Sequence, residues 1–281
     1  MANLRAANRP KEIVDAADAY DALAPRYENL LSDNPVIAHS ARVSLELVSR
    51  AMADAEFLLE IGSGIGRETL ELAARGKRIV ACDPSQESLR LLQDRAARQG
   101  LNNRIETRAI PASGLRELVD EFGAHAFDGS FSSFALSYEP SLGTVPEDVW
   151  TLLRPGAPFF CSIFNRLCFA ELATGAPFLV PRRGFGRLVG KVSLSIDQLA
   201  VRARAYTTRE VLDAFRRRFT LAGVWGMPAI VPPHYLHRLL TASGGLRTAW
   251  EGLDRRLNSR WPFSLLGSHT GWLFVSRLQI D

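Results

Sequence analysis

Three glycines at alternate positions follow an acidic residue in the segment 58–68, which is the part of the chain best suited to chemistry. Two leucines before Glu60 predict a short strand. Gly62, Gly64 and Gly66 then allow a tight turn and a close approach of the backbone to a ligand. A helix that begins near Gly66 would direct free N–H groups and its positive dipole end at an anionic group.

A second acidic residue closes the next predicted strand. The segment Lys77 to Ser85 is apolar at its centre and ends in Asp83, 17 residues after Gly66. A carboxylate at the end of such a strand can accept hydrogen bonds from both hydroxyls of a ribose. A dinucleotide fingerprint places its third glycine one residue later, at Arg67, and needs no acid at Glu60. The alternative is a tight turn that binds no nucleotide.

The order acidic-x-Gly-x-Gly-x-Gly, followed by an acid at the end of the next strand, resembles motifs I and II of class I S-adenosylmethionine-dependent methyltransferases. The turn Leu153-Arg154-Pro155-Gly156 is similar to the one before the fifth strand in that superfamily. The resemblance implies an α/β fold with a doubly wound, seven-stranded, mostly parallel sheet whose last strand is antiparallel. It also implies S-adenosylmethionine as cofactor and S-adenosylhomocysteine as product.

The resemblance assigns parts of the cofactor to particular residues. Asp83 would hold the ribose, and Glu60 would order the turn or hold the amino group through water. The loop after the third strand would contact the adenine, although the acid usual there is replaced by Ala112. Tyr20 and Tyr27 would close over the sulfonium, or else pack on the sheet. The full predicted set is Tyr20, Tyr27, Glu60, Gly62, Ser63, Gly64, Gly66, Asp83, Pro84, Ala112, Ser113, Ser132 and Ser133.

On the acceptor side, a general base is needed only if the attacking group must lose a proton. His234, His269 and Tyr138 are the predicted catalytic residues, and a structural role is the alternative for each histidine. The Asn/Asp-Pro-Pro-aromatic motif of enzymes that methylate adenine or protein amides is absent, because the corresponding segment reads Ser133-Phe134-Ala135-Leu136. We expect oxygen as the first choice of acceptor atom, nitrogen second and carbon third.

Composition restricts the class of protein. The chain has 281 residues, of which 47% are hydrophobic and 23% charged, as in soluble globular proteins. No apolar run reaches the roughly 18 residues that span a bilayer. The segment Met1 to Pro10 has no apolar stretch typical of a secretory signal, which favours a cytoplasmic protein. The three cysteines lack metal-ligand spacing, so no metal site is expected.

Charge is distributed unevenly along the chain. Residues 1–150 carry a net charge of −7 and residues 151–281 a net charge of +11. A basic second half favours a small-molecule or lipid-like acceptor that is acidic, a membrane surface, or nucleic acid; a solvated arginine-rich surface is the alternative. Basic residues do not alternate with aromatic ones on a strand, so nucleic acid is disfavoured. A homodimer is compatible with the sequence.

The pattern of elements predicts an organisation in four parts. Residues 1–52 form an N-terminal helical cap and 53–165 the cofactor-binding core. Residues 166–206 and 227–270 form insertions that bind the acceptor, and 207–226 with 271–281 complete the core. Strands are predicted near 57–61, 78–83, 104–109, 126–132, 158–164, 219–225 and 271–278. An RNA-modifying enzyme, and a relative of this fold that binds the cofactor without methyl transfer, are the competing hypotheses.

Overall fold

The computed structural model describes residues 12–27, 34–168, 187–196, 199–230 and 237–278. The strands in these ranges are β1 Glu12–Val14, β2 Phe57–Ile61, β3 Arg78–Cys82, β4 Ile105–Arg108, β5 Gly129–Ser132, β6 Pro158–Phe164, β7 Lys191–Ile196, β8 Leu199–Arg204, β9 Phe219–Met227 and β10 His269–Ser276. The α-helices are α1 Ala16–Leu23, α2 Pro35–Ala51, α3 Arg67–Ala74, α4 Gln86–Arg98, α5 Glu117–Phe122, α6 Val145–Leu152, α7 Thr208–Phe215, α8 His237–Ala242 and α9 Gly244–Leu257.

Seven strands form one sheet in the order β4-β3-β2-β5-β6-β10-β9. The pairs from β4 through β6 are parallel, whereas β10 runs antiparallel to both β6 and β9. The order reverses direction between β2 and β5, where crevices for ligands open in doubly wound sheets. The predicted seven-stranded fold with its antiparallel last strand is confirmed.

Burial on both faces explains why the central strands are almost continuously apolar. Leu58, Leu59 and Ile61 of β2 are at most 1% exposed, as are Ile79 and Val80 of β3. Helices cover both faces of the sheet, so neither face of a central strand meets water.

Helix α4 shows how local signals fix a helix. The hydroxyl of Ser85 accepts a hydrogen bond from the Ser88 N–H at 3.1 Å, which satisfies one free donor of the first turn. Leu89, Leu92 and Ala96 are all buried and share one face. The sequence of this segment predicts both the serine cap and the apolar face, and both are confirmed.

The N-terminal segment differs from its prediction. Residues 1–52 were predicted to form a helical cap, but Glu12–Val14 forms β1, which pairs in parallel with β8 in a second sheet of order β1-β8-β7. Ile13 and Val14 are β-branched, and pairing with a distant strand outweighs the local periodicity. Helix α1 follows, with Asp15 as its N-cap.

The insertion after β9 also differs in detail. The sequence over 236–257 predicts one continuous helix, whereas Ser243 begins a new helix, α9, after α8 ends. The Ser243 hydroxyl accepts a hydrogen bond from the Leu246 N–H at 3.4 Å. Residues 169–186 and 197–198 of the insertion predicted over 166–206 lie outside the described residues. In the described ranges, no helix has the length and apolarity needed to cross a membrane.

Candidate functional site

The glycine turn lies where β2 ends, at the edge of the sheet formed by the carboxyl ends of the parallel strands. Gly62, Gly64 and Gly66 have φ angles of 74°, 51° and 80°, a region that residues with a Cβ rarely adopt. The Gly62 and Ser63 N–H groups donate to the Cys82 carbonyl at 2.7 and 3.0 Å, which ties the turn to the end of β3.

The three glycines meet different surroundings. A Cβ on Gly62 would lie 2.0 Å from the Ala135 Cβ, and one on Gly66 would lie 2.1 Å from Leu92 Cδ1. A Cβ on Gly64 would meet no atom within 4 Å. Gly62 and Gly66 are therefore needed for packing as well as conformation, whereas Gly64 faces open space. The buried Ser63 hydroxyl has no hydrogen-bond partner in the described part of the chain.

Asp83 supports the turn from the end of β3. Its Oδ2 accepts from the Gly64 N–H at 2.8 Å and its Oδ1 from the Ser85 N–H at 2.9 Å. The side chain is 8% exposed. Burial raises the pKa of Asp83, and the two hydrogen bonds oppose that shift. Each carboxylate oxygen retains a further lone pair, so the group can also accept from a diol.

Glu60 is buried beneath the same turn, with 1% of its surface exposed. The Thr69 hydroxyl in α3 donates to Glu60 Oε2. Burial, and then the nearby Glu68 carboxylate, raise the pKa of Glu60 well above its usual value. This geometry agrees with a role in ordering the start of α3.

Asp21 anchors the N-terminal aromatic element to the core. Its Oδ1 accepts from the Ser85 hydroxyl at 2.5 Å and from the Glu87 N–H at 3.1 Å. Negative charge at the first turn of α4 is favoured by the helix dipole. Since Tyr20 precedes Asp21, this contact holds the tyrosine near Asp83, at the carboxyl edge of the sheet.

Aromatic rings from four parts of the chain meet near this edge. The Tyr20 hydroxyl donates to the Tyr138 hydroxyl at 2.7 Å, and the Tyr20 and Tyr27 ring centroids lie 6.4 Å apart. The Tyr138 ring lies 6.4 Å from Phe164, whose ring lies 4.2 Å from His269. The structure thus brings together the predicted residues Tyr20, Tyr27, Tyr138 and His269.

His269 begins β10 opposite Phe164, the last residue of β6. Its second aromatic neighbour is Phe134, at 4.8 Å between ring centroids. Desolvation, and then the nearby Arg187 guanidinium, lower the pKa of His269 to about 3, and a hydrogen bond with the Met227 backbone opposes this shift. The imidazole is therefore neutral at physiological pH. Its Nδ1 has no hydrogen-bond partner within the described ranges.

The other predicted residues have varied surroundings. Ser132 donates to the Ile61 carbonyl at 2.8 Å, and Ser133 exchanges a hydrogen bond of 2.9 Å with Ser44, so both hydroxyls already have partners in the chain. The Ala112 N–H donates to Glu139 Oε1 at 2.9 Å. Pro84 is exposed beside the glycine turn, and Ser113 is exposed in the loop that follows β4. His234 lies outside the described residues.

One arrangement was not predicted from the sequence. His39 in α2 and Asp254 in α9 are both 0% exposed, and His39 Nε2 lies 2.8 Å from Asp254 Oδ2. The two residues are 215 positions apart, so no local motif connects them. A histidine on the buried stripe of an N-terminal helix was the only available signal.

Comparison with known proteins agrees with this geometry. Residues 58–156 match the model of the family described as "Methyltransferase domain". Residues 58–156 therefore form a methyltransferase domain, and the seven-stranded sheet that contains them has the fold of class I S-adenosylmethionine-dependent methyltransferases. Its glycine turn, its open side at Gly64 and the unpartnered Ser63 hydroxyl fit that cofactor.

The chain also resembles individual proteins. It is 34% identical over 113 residues to a tRNA (guanine-N(7)-)-methyltransferase of Nitrosomonas eutropha, which covers 40% of this chain and 45% of that protein. The chain spans about half or less of the curated relatives it matches. Among solved structures, geranyl diphosphate C-methyltransferase from Streptomyces coelicolor has a TM-score of 0.54 at 16% identity, covering 84% of this chain and 78% of that one.

A further solved structure is the [4+2]-cyclase SpnF, with a TM-score of 0.61 at 15% identity. The similarity covers 97% of this chain and 100% of that one. At this level of identity the likeness concerns the fold, which is thus found in proteins named for different reactions.

Proposed function

We propose that this protein transfers a methyl group from S-adenosylmethionine to an oxygen of a small or medium-sized acceptor, such as a secondary metabolite, a glycan or a quinone-like lipid. The observation that carries the proposal is the glycine turn, which Asp83 holds by a hydrogen bond and which has open space beside Gly64. The methyltransferase family of residues 58–156 supports the same chemistry. Cytoplasmic residence remains part of the proposal.

The residues of the turn would bind the cofactor in the following way. Asp83 would accept hydrogen bonds from the ribose hydroxyls, and the Ser63 hydroxyl would gain a partner in the methionine portion. The backbone near Ala112 and Ser113 would border the adenine. Glu60 would fix the start of α3 from below. When bound, S-adenosylmethionine supplies an electrophilic methyl group on a sulfonium.

The aromatic cluster of Tyr20, Tyr27 and Tyr138 would shield the cationic end of the site. An aromatic ring face near a cation contributes about 0.5–2 kcal/mol. The hydroxyls of Tyr20 and Tyr138 are bonded to each other, so the rings are held in place. Closure by these rings would exclude water and align the acceptor, and orientation alone can lower a barrier by roughly 7–11 kcal/mol.

The decisive experiment uses S-adenosylmethionine with a radioactive methyl group. Calorimetry with this cofactor and with S-adenosylhomocysteine should detect binding. Incubation with an extract of the source cells should then move label into low-mass products. A protein that binds neither compound contradicts the proposal.

Two observations favour a competing function, the modification of RNA. The second half of the chain is basic, and one of the curated relatives is a tRNA methyltransferase. Label in the RNA fraction, together with a steep salt dependence of RNA binding, would support it. The fold shared with a cyclase favours a second competitor, a protein that binds the cofactor without transferring its methyl group. Tight cofactor binding without any labelled product would support that one.

A further inference from the structure

The N-terminal half of α2 lies at the cofactor edge of the sheet. Its last turn packs near the first residue of β5, since a Cβ on Gly129 would lie 2.7 Å from Met52 Sδ. Ser44 bonds to Ser133, which follows the last residue of β5. The helix therefore runs from the site edge toward the opposite edge. His39 lies beyond Ser44, about 7.5 Å further along the helix axis.

His39 continues the buried stripe of α2 that includes Val43 and Leu47. The carboxyl group of Asp254 fixes its orientation: Oδ2 pairs with His39 Nε2 at 2.8 Å, and Oδ1 accepts from the Ile230 N–H at 2.8 Å. The Trp250 ring packs 4.8 Å from the imidazole, and its Nε1 donates to the Ile230 carbonyl at 3.0 Å. Both ring and carboxylate are therefore held rigidly.

The second ring nitrogen of His39 has different surroundings. Nδ1 is buried and has no hydrogen-bond partner within the described ranges. A carboxylate only accepts hydrogen bonds, so the tautomer that donates from Nε2 to Asp254 is the one that leaves a lone pair on Nδ1. Leaving such a buried acceptor unsatisfied costs about 1–3 kcal/mol. This is the arrangement of an acid–base pair in which a carboxylate selects the tautomer of a histidine base.

We propose that His39 is the general base of methyl transfer and that Asp254 is its positioning residue; this inference rests on the proposed function. The acceptor O–H bond breaks and its proton moves to His39 Nδ1. The oxygen electron pair forms the new bond to the methyl carbon. The carbon–sulfur bond breaks with its electron pair on sulfur, which leaves S-adenosylhomocysteine and a protonated His39.

The charged groups around this pair are already in ion pairs. Arg42 and Arg247 contact Glu251, and Glu46 contacts Arg255, all on α2 and α9. These side chains are 18–51% exposed, in contrast to His39 and Asp254, which are fully buried. The acid–base pair is thus separated from the solvated charges of the same two helices.

Two variants keep the hydrogen bonds around Asp254 but leave no basic nitrogen at the position of His39 Nδ1. In His39→Gln the side-chain amide still donates to Asp254 but has no basic nitrogen. In Asp254→Asn the amide oxygen still accepts from the Ile230 N–H, but its NH₂ donates to His39 Nε2, which moves the ring proton to Nδ1. His125→Gln is the matched control, because His125 bonds the Leu153 carbonyl at the opposite edge of the sheet.

The test is single-turnover transfer of labelled methyl from S-adenosylmethionine to the low-mass fraction of the source-cell extract, measured across pH. We expect His39→Gln to slow transfer about 10²–10⁴-fold and Asp254→Asn to slow it comparably. Calorimetric affinity for S-adenosylmethionine should be unchanged in both, and His125→Gln should match wild type. Added imidazole should restore part of the rate in His39→Gly.

The outcomes separate the two proposals. No label transfer by the wild type overturns the proposed function itself. Transfer by the wild type with an equal rate and pH profile in both variants overturns only the role of His39. If one variant fails to fold, the other still decides, since each removes the base by a different route.

Discussion

At the level of single residues, Asp83 combines a structural role in the glycine turn with a predicted role in cofactor binding. Its two oxygens hold the Gly64 and Ser85 N–H groups, and the same carboxylate is predicted to take the ribose. We expect Asp83→Ala to weaken S-adenosylmethionine binding at least tenfold, since hydrogen bonds to a charged group contribute about 1.5–3 kcal/mol. Calorimetry measures the change. Asp94→Ala, which removes an exposed partner of Arg90, should leave affinity unaltered.

Glu60 makes folding stability depend on pH. Its pKa in the folded protein is raised well above the value of about 4.3 in an unfolded chain. The unfolded state therefore releases this proton first, and the contribution of Glu60 to stability falls as pH rises through the folded pKa. Glu60→Gln keeps an acceptor for Thr69 without a buried charge.

We expect urea denaturation of the protein without cofactor to show Glu60→Gln more stable than wild type at pH 8. The difference in free energy of unfolding between Glu60→Gln and wild type should become smaller as the pH is lowered toward 5. The exposed Glu71→Gln in the same helix as Thr69 serves as control and should show no such trend. A Glu60→Gln protein less stable than wild type at pH 8 would mean that the ionised carboxylate is stabilised in the fold.

Among the elements, the glycine turn allows cofactor binding to be separated from folding. Gly64 and Gly76 both have positive φ, and at each of them an added Cβ would have no atom within 4 Å. Alanine at either site should cost about 1–2 kcal/mol for the left-handed conformation. Only Gly64→Ala should also abolish S-adenosylmethionine binding, because only its methyl group enters the cofactor site. Equal cofactor affinity in both variants would place the ligand elsewhere.

Helix α7 tests how far local signals determine an element. Thr207 and the side chain of Glu210 cap each other's backbone N–H groups. We expect Thr207→Ala to lower the free energy of unfolding by about 1 kcal/mol. The neighbouring Thr208 is the first residue of the helix and not its cap, so Thr208→Ala should have a smaller effect. Thermal denaturation distinguishes the two.

The contrast between elements shows what the sequence determines. The central strands and α4 follow from buried apolar runs and a serine cap, so their prediction was accurate. Strand β1 and the His39–Asp254 pair depend on partners far along the chain, which local periodicity does not reveal. The glycine turn and Asp83 were predictable because strand ends fix where their backbone must lie. The division of the chain into four parts remains a prediction.

At the scale of the whole molecule, ion pairs between the acidic first half and the basic second half of the chain reduce the effect of the uneven charge distribution. Basic residues of the second half contact acidic residues of the first half: Arg154 pairs with Asp128, Arg218 with Glu147, and Arg255 with Glu46. A surface with both signs interspersed attracts phosphate backbones weakly. The sequence-level argument for a nucleic-acid partner is therefore weakened by the fold.

We therefore expect little retention of bulk RNA by the protein on a filter at about 0.15 M salt. The slope of log affinity against log salt should be shallow, because few phosphates would be neutralised. A basic protein of similar size with known RNA binding provides the reference. Strong retention with a steep slope would favour the RNA-modifying alternative.

Strand β1 pairs with β8, which lies far later in the chain, so that Glu12 stands opposite Leu199. During synthesis on a ribosome, the core strands β2 to β6 emerge and can assemble before β8 exists. The segment with Tyr20 then has no sheet to join, although its Asp21 can already reach α4. The protein would therefore become able to enclose a ligand only late in translation, after the crevice between β2 and β5 has formed.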